Sequence, residues 1–350
     1  MGLPVLRRII FAVLITAVFF LLIEVGLRLF GFAGRADDTR FVLNPEWDYP
    51  EFFLKDHDLF WKFRPNQVIR SGFFVEGEYR INNHGLRGPD FTDAKPPGTC
   101  RVVCLGNSCT FGWRVGEDDA YPRQLEAMLN AGAPVPHYEV INAGVTGYSS
   151  LQGLRFFEHD VLRWHPDLIV VSYNWNDHWA GAQDIADKNQ YLPPQWVLDV
   201  QNALGRTLTY RWLKYLVFSI KHPPPAEFSH TSPVYRVCPG DFRQILNEII
   251  RLATSRGIDV LLATAPIAPR PGQEYTGLYA YHQQYNEIIR SFAGAPNVSV
   301  ADVAAEFTSR PGLFDDPEHD VKHYNVLGHR LVARMLAESI GALRRQDHGN

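Results

Sequence analysis

The chain has 350 residues, 46% of them hydrophobic and 21% charged, which is enough apolar content to bury a sizeable core. With 34 basic against 38 acidic residues, a net charge of −4 and no Lys/Arg run, nucleic acid is excluded as the expected partner. The four cysteines (Cys100, Cys104, Cys109, Cys238) form no Cys-x-x-Cys pair, so neither a zinc knuckle nor a dithiol redox motif is expected. A Cys100–Cys238 bridge is compatible with an oxidising compartment, but the sequence does not require it.

The first predicted element is a long apolar helix. Ile9 to Ile23 is free of charge, and the apolar character resumes after Glu24 to reach Phe32. These 24 residues, at about 1.5 Å each, span roughly 36 Å, enough to cross a bilayer. Glu24 and Arg28 lie four apart, where they can pair and snorkel. Arg7 and Arg8 favour a cytoplasmic N-terminus and an exported remainder, while Arg28, Arg35 and Arg40 weigh on the other side. No small-x-small site follows at a convincing distance, so an uncleaved anchor over residues 1–34 is expected rather than a signal peptide.

Residues 35–99 read as a linker and an aromatic-rich β segment (Phe52, Phe53, Phe60, Trp61, Phe63, Phe73, Phe74, Tyr79). Within it, Glu78 to Gly88 looks like a strand ending in a Gly turn, expected to pack against the main domain. From Arg101 strands and helices alternate, the mark of a parallel sheet. Strands are expected at Arg101–Leu105, Tyr138–Asn142, Leu168–Tyr173, Asp259–Ala263 and Val298–Val303. Helices are expected near Tyr121–Ala131, Ser149–Trp164, Asp241–Ser255, Tyr279–Phe292 and Val326–Leu343. An insertion from about residue 178 to 233 breaks this rhythm. It carries Trp179, Trp196, the apolar run Trp212–Ile220 with Arg211, Lys214 and Lys221 in and around it, and then Pro223-Pro224-Pro225. It reads as a cap over the site, and the Trp212–Ile220 run could alternatively rest on a membrane surface.

Four short blocks follow predicted strands, and a parallel sheet gathers such ends on one edge. They are Gly106-Asn107-Ser108, Asn142-Ala143-Gly144-Val145-Thr146-Gly147, Asn174-Trp175-Asn176-Asp177, and Asp320-Val321-Lys322-His323-Tyr324-Asn325 with Gly328-His329 beyond. A Ser hydroxyl needs a base, a His suits that near neutral pH, and a carboxylate fixes the tautomer of the His. Asp320 and His323 are three apart, so one loop turn can aim both at Ser108. The Ser108 N–H, the Gly147 N–H and the Asn176 side chain could serve as oxyanion donors, with Gly144 competing for the second position. His319 and His329 compete as base, but only His323 has a carboxylate three residues before it. His329 is expected to anchor the last helix. The cluster Asp315, Asp316, Glu318, His319, Asp320, His323 suits a metal only if His319 and His323 share a helix, and Pro317 argues for a loop, so no metal is expected. Cys109 is expected to point inward, and Thr110 stands where a Gly-x-Ser-x-Gly elbow needs its second Gly.

These four blocks, in this order, resemble the SGNH (GDSL-type) serine esterases over Arg101 to about Leu343. The resemblance implies a flavodoxin-like three-layer α/β/α sandwich with a five-stranded parallel sheet. It implies Ser108 as nucleophile, Asp320 and His323 as the acid/base pair, Gly147 and Asn176 as oxyanion donors, and no cofactor. Two positions depart from the family pattern: Asn107 replaces Asp, and Asn174 replaces Gly. Asn107 is expected to hold the turn, and Asn174 to narrow the pocket floor. The expected layout is an anchor (1–34), a β-rich segment (35–99) and a hydrolase domain (100–345) with its insertion (178–233). An anchor before such a domain resembles exported bacterial members, some of which act on acyl groups of cell-surface polysaccharides. The implied partners are an ester substrate, acylated carbohydrate among the options, and the membrane. The alternatives are an acyltransferase with the same acyl-enzyme and a sugar hydroxyl as acceptor, and a catalytically silent binding module.

Overall fold

The computed structural model describes residues 3–32, 52–70, 78–131, 136–179, 181, 185–221, 234–268 and 277–347. Phe73, Phe74, Arg35, Arg40 and Pro223 to Pro225 lie outside them. The chain divides into two compact units, residues 1–57 with 192–229, and residues 58–191 with 230–350.

The smaller unit holds the helix Leu3–Leu29, strand β1 (Phe53–Asp56) and the helices Gln195–Leu204 and Leu208–Lys221. Pro4–Leu29 has a mean hydropathy of 2.7 and is the one helix among the described residues long and apolar enough to cross a bilayer. Near its end Arg28 donates to Glu24 at 2.8 Å, the expected pair. The second Glu24 oxygen accepts from the Thr209 N–H (2.8 Å) and hydroxyl (2.9 Å), an acidic cap at the start of helix Leu208–Lys221. The Lys55 N–H and carbonyl pair with the Asn202 side chain, which ties β1 to helix Gln195–Leu204. Much of the insertion expected as a cap is therefore built into the unit that carries the apolar helix.

The larger unit opens with three short strands: β2 (Phe60–Phe63), β3 (Gln67–Ile69) and β4 (Tyr79–Ile81), the last two paired antiparallel. The main sheet comes next as β5 (Thr99–Gly106), β6 (His137–Gly144), β7 (Leu168–Ser172), β8 (Asp259–Ala263) and β9 (Val298–Ala301). Its order is β6-β5-β7-β8-β9 and every pairing is parallel, the flavodoxin-like arrangement. The inner strands β5, β7 and β8 are largely apolar runs because both of their faces are covered, whereas the edge strands β6 and β9 carry polar residues such as Glu139 and Ser299. Val102, Cys104, Val170 and Leu261 cluster with Tyr121, Leu125, Leu331, Leu336 and Ile340 from helices Tyr121–Asn130 and Val326–Asp347. Since side chains alternate along a strand, Val103, Leu105, Ile169 and Leu262 face the opposite layer. That layer is formed by helices Ser150–His159, Pro239–Thr254 and Gly277–Arg290.

β9 stops at Ala301, short of the expected Val303, which instead opens helix Val303–Phe307. The expected loop around Asp320 is a hairpin. β10 (Phe314–Asp316) and β11 (Asp320–Tyr324) pair antiparallel with a register shift between Phe314 and Asp316. Alternation along so short a piece carries little periodicity signal, so the pairing is visible only in three dimensions. All four cysteines are free, Cys100 and Cys238 included.

Candidate active site

β5 and β6 run to Gly106 and Gly144 in register, and β7 ends beside Gly106 at Ser172. The chain order reverses between β6 and β7 on either side of β5, and in open parallel sheets the crevice at that switch point is where ligands bind. Ser108 is the first residue of the short helix Ser108–Phe111, where an N–H has no intrahelical partner. Asn107 caps this helix, its Oδ1 accepting the Cys109 N–H at 3.0 Å. The amide thus holds the turn as expected, by the same oxygen an Asp would offer. Gly144 is required beside this turn, because a Cβ there would lie 2.7 Å from the Thr110 carbonyl carbon.

The hairpin β10–β11 brings the other two groups to Ser108. His323 Nε2 lies 2.8 Å from Ser108 Oγ, and His323 Nδ1 lies 2.6 Å from Asp320 Oδ2. Positions three apart on a strand face opposite sides, so this pairing needs a local device. Asp320 Oδ1 accepts the N–H groups of Lys322 (3.2 Å) and His323 (3.3 Å), folding the carboxylate back along the chain. Its other oxygen is left facing the imidazole. The Trp113 ring stacks on the His323 ring, with centroids 5.7 Å apart.

Burial pushes the His323 imidazole down to about 4, although the Asp320 hydrogen bond pulls the other way. Burial would raise Asp320, but its bond to His323 and the nearby His323 and Lys322 charges hold its carboxyl below the ordinary carboxylate range. Near neutral pH the arrangement is therefore a neutral imidazole between a hydroxyl and a carboxylate, able to accept one proton from the hydroxyl.

The second and third blocks meet through Tyr148, whose carbonyl accepts from Asn176 Nδ2 at 2.9 Å. An amide has two N–H groups, and this bond uses one of them. Asp177 accepts the Ser150 N–H at 2.8 Å and the Ser150 hydroxyl at 2.5 Å. It thereby fixes the start of helix Ser150–His159 directly behind the Gly147 turn. Burial pushes Asp177 up to about 7 against the pull of these Ser150 bonds. Gly147 has φ +80°, a conformation that glycine enters without strain.

Other candidates lie elsewhere. His319 pairs with Asp316 at 3.0 Å on the exposed side of the hairpin, and Asp315 pairs with Arg114 at 3.0 Å. Among the described residues no group of three His, Cys, Asp or Glu side chains gathers as for a metal ion. His329 Nδ1 accepts the Tyr121 N–H at 3.2 Å, which anchors the last helix as expected. Cys109 points inward, its Sγ 3.4 Å from the Lys322 carbonyl, and burial pushes the thiol up to about 12. Asn174 does not reach the pocket floor as expected. It is fully buried, and its amide donates to the His282 carbonyl and to Asn286 Oδ1 on helix Gly277–Arg290.

Sequence reading missed the groups that brace the site. Arg87, 2% exposed, donates to the carbonyls of Phe111 (2.9 Å), Gly112 (2.5 Å) and Val115 (2.6 Å), just past the Ser108 helix. Arg236 is paired with Asp187 at 2.9 Å and donates to the Gly147 carbonyl at 2.6 Å and to Gln152 Oε1 at 2.7 Å. Neither carries a motif. The Gly turn after Glu78 was the only hint that Arg87 packs inward.

A parallel sheet in this order, with Ser, Gly, Asn and Asp-x-x-His blocks on its carboxyl edge, defines an SGNH-type α/β/α hydrolase. The sequence pattern of the GDSL-like lipase/acylhydrolase family matches residues 104–331, and the chain belongs to that family of ester-hydrolysing enzymes. No curated protein sequence is matched. Among solved structures, a lipase/acylhydrolase from Enterococcus faecalis is similar at 19% identity and a TM-score of 0.45, covering 69% of this chain and 95% of its own. The acetylxylan esterase Axe2 from Geobacillus stearothermophilus is similar at 18% identity and a TM-score of 0.46, covering 69% and 94%. LAE5, an α/β hydrolase enzyme from the Lake Arreo metagenome, is similar at 18% identity and a TM-score of 0.46, covering 70% and 96%.

Proposed function

We propose that the protein is a membrane-anchored serine esterase that removes acyl groups from an acylated carbohydrate outside the cytoplasm. Ser108 attacks the ester carbonyl, and His323 takes its proton and returns it to the leaving alcohol. Water, deprotonated by His323, then frees the acid from the acyl-enzyme, while Asp320 orients the imidazole and stabilises its charged form. The Ser108 N–H, the Gly147 N–H and the Asn176 side chain receive the oxyanion. The observation carrying this reading is the continuous line of contacts from Ser108 Oγ through both nitrogens of His323 to Asp320, at 2.8 and 2.6 Å.

Two half-buried indoles support a carbohydrate as the alcohol part. Trp113 lies against His323, and Trp179 lies against the Lys322 ammonium at 4.4 Å. Flat indole rings beside the proposed base and its neighbour Lys322 suit the C–H face of a sugar ring. Residues 1–34 serve as the anchor, with Arg7 and Arg8 on the cytoplasmic side.

The test is hydrolysis of short-chain p-nitrophenyl esters and of acetylated oligosaccharides by the full chain in detergent. Ser108→Ala is expected to lose turnover by three orders of magnitude or more, in line with about 10³ or greater for removal of a nucleophile. Equal turnover by the two proteins would remove the assignment.

A further inference from the structure

Gly147 sits in a four-residue turn that has two nearly equivalent forms. The Tyr148 N–H donates to the Val145 carbonyl at 3.2 Å, closing a β-turn with Thr146 and Gly147 at its centre. Gly147 has φ +80° and Thr146 is not among the positive-φ residues, so the turn is type II. Types I and II differ by about a half-rotation of the central peptide, here the one joining Thr146 to Gly147. That rotation reverses both the Thr146 carbonyl and the Gly147 N–H. Whatever holds the carbonyl therefore decides where the N–H points.

The holder is Trp61, from strand β2, outside the stretch matched by the family pattern. Its indole Nε1–H donates to the Thr146 carbonyl at 3.1 Å. The side chain is 3% exposed, so water offers little substitute partner. Its ring edge leans on the turn, and a Cβ at position 147 would lie 2.9 Å from Trp61 Cζ2. Trp61 is itself fixed from three directions. Its carbonyl accepts from Tyr148 Oη at 2.6 Å, its ring meets the Tyr148 ring edge-on at 5.8 Å, and the Arg236 guanidinium lies 5.8 Å from its ring centroid. Since Arg236 also holds the Gly147 carbonyl, the peptides on both sides of Gly147 are tied by buried donors.

We propose that Trp61 is a positioning residue for the oxyanion site, its indole N–H locking the Thr146–Gly147 peptide so that the Gly147 N–H faces the substrate carbonyl oxygen. This rests on the reading of Gly147 as an oxyanion donor. It gives the segment before the sheet a role in the rate of the reaction beyond packing. An oxyanion donor is typically worth about 10²- to 10³-fold in kcat, and releasing its peptide between two orientations forfeits part of that.

The experiment compares wild type, Trp61→Phe and Ser108→Ala as full chains in detergent. Trp61→Phe keeps an aromatic ring and removes the N–H. We expect kcat to fall roughly 10- to 100-fold with KM within about 2-fold, since the donor acts chiefly in the transition state. Phenylboronic acid, which becomes tetrahedral on a serine, should bind Trp61→Phe more weakly by a similar factor. A Trp61→Phe protein with kcat within 2-fold of wild type, beside an inactive Ser108→Ala, overturns the role of Trp61 and leaves the nucleophile standing. A change in KM alone, with boronate affinity unaltered, also overturns it. Activity surviving in Ser108→Ala would instead overturn the underlying assignment. Should Trp61→Phe fail to fold, benzothienylalanine at position 61, with sulfur in place of the N–H and nearly the same shape, gives the same readout.

Discussion

Replacing Asp320 by Asn tests the site at its most constrained bond. The carboxylate has two separable duties in the structure. Oδ1 accepts the N–H groups of Lys322 and His323 at 3.2 and 3.3 Å, and Oδ2 lies 2.6 Å from His323 Nδ1. An Asn can keep its oxygen in the first position, so the hairpin is expected to survive. Its NH2 group then occupies the second position, where it can only donate. The imidazole must respond by making Nδ1 the acceptor and moving its proton to Nε2. That nitrogen, 2.8 Å from Ser108 Oγ, is then unable to take the hydroxyl proton. Such a tautomer reversal costs about 10⁴-fold in kcat in a serine protease triad, or about 5.4 kcal/mol, and a loss of roughly 10³- to 10⁴-fold is expected here. The assay is steady-state hydrolysis of p-nitrophenyl acetate at pH 7, with circular dichroism confirming the fold. Asp320→Asn retaining more than about a tenth of wild-type kcat would refute the tautomer argument.

Three further outcomes rest on the same geometry. The acid limb of kcat/KM should fall well below the ordinary histidine value. Burial lowers His323 to about 4, the base must be neutral to work, and activity is therefore lost only as pH drops through that lowered value; a limb at 6.5 or above in a pH–rate profile counts against it. Arg87→Met leaves three buried carbonyls without their charged donor, a loss of about 3 kcal/mol once relief of the buried charge is allowed for. At about 2–4 °C per kcal/mol, Tm should drop by roughly 6–12 °C in a thermal melt, and an unchanged Tm would show the clamp to be idle. Asp187→Asn removes the ion-pair partner of Arg236, so both kcat and Tm should fall, and full retention of both would sever Arg236 from the Gly147 turn.

Much of this architecture is legible in the sequence because the relevant physics is local. β5, β7 and β8 are short apolar runs bounded by turn residues, and their expected limits agree with the structure to within two residues at each end. Of the apolar stripe Leu327, Leu331, Met335, Leu336 and Ile340 expected on the last helix, Leu331, Leu336 and Ile340 join the core and Met335 packs against it, while Leu327 is exposed. Ser108, Gly147 and Asn176 are legible as candidates because each block comes after a strand and a parallel sheet brings strand ends together, whereas the Asp320–His323 pair is legible only by its spacing. The hairpin β10–β11 is not legible: three- and five-residue strands carry too little alternation to register. The direction of Asn174 is not legible either, because it depends on helix Gly277–Arg290, which begins a hundred residues later.

The sequence by itself determined the parallel sheet and the family, and it offered five candidate residues for the chemistry, since strand periodicity and the order of short blocks are properties of neighbours along the chain. Only the tertiary structure decided which way each of those groups faces. The Thr146 carbonyl is held by an indole 85 positions away, the Phe111 and Gly112 carbonyls by a guanidinium 24 and 25 positions away, and the Gly147 carbonyl by one 89 positions away. Buried donors of this kind obey no spacing rule. A carbonyl is satisfied by whichever donor the packing brings to it, and that partner exists only once the chain has folded.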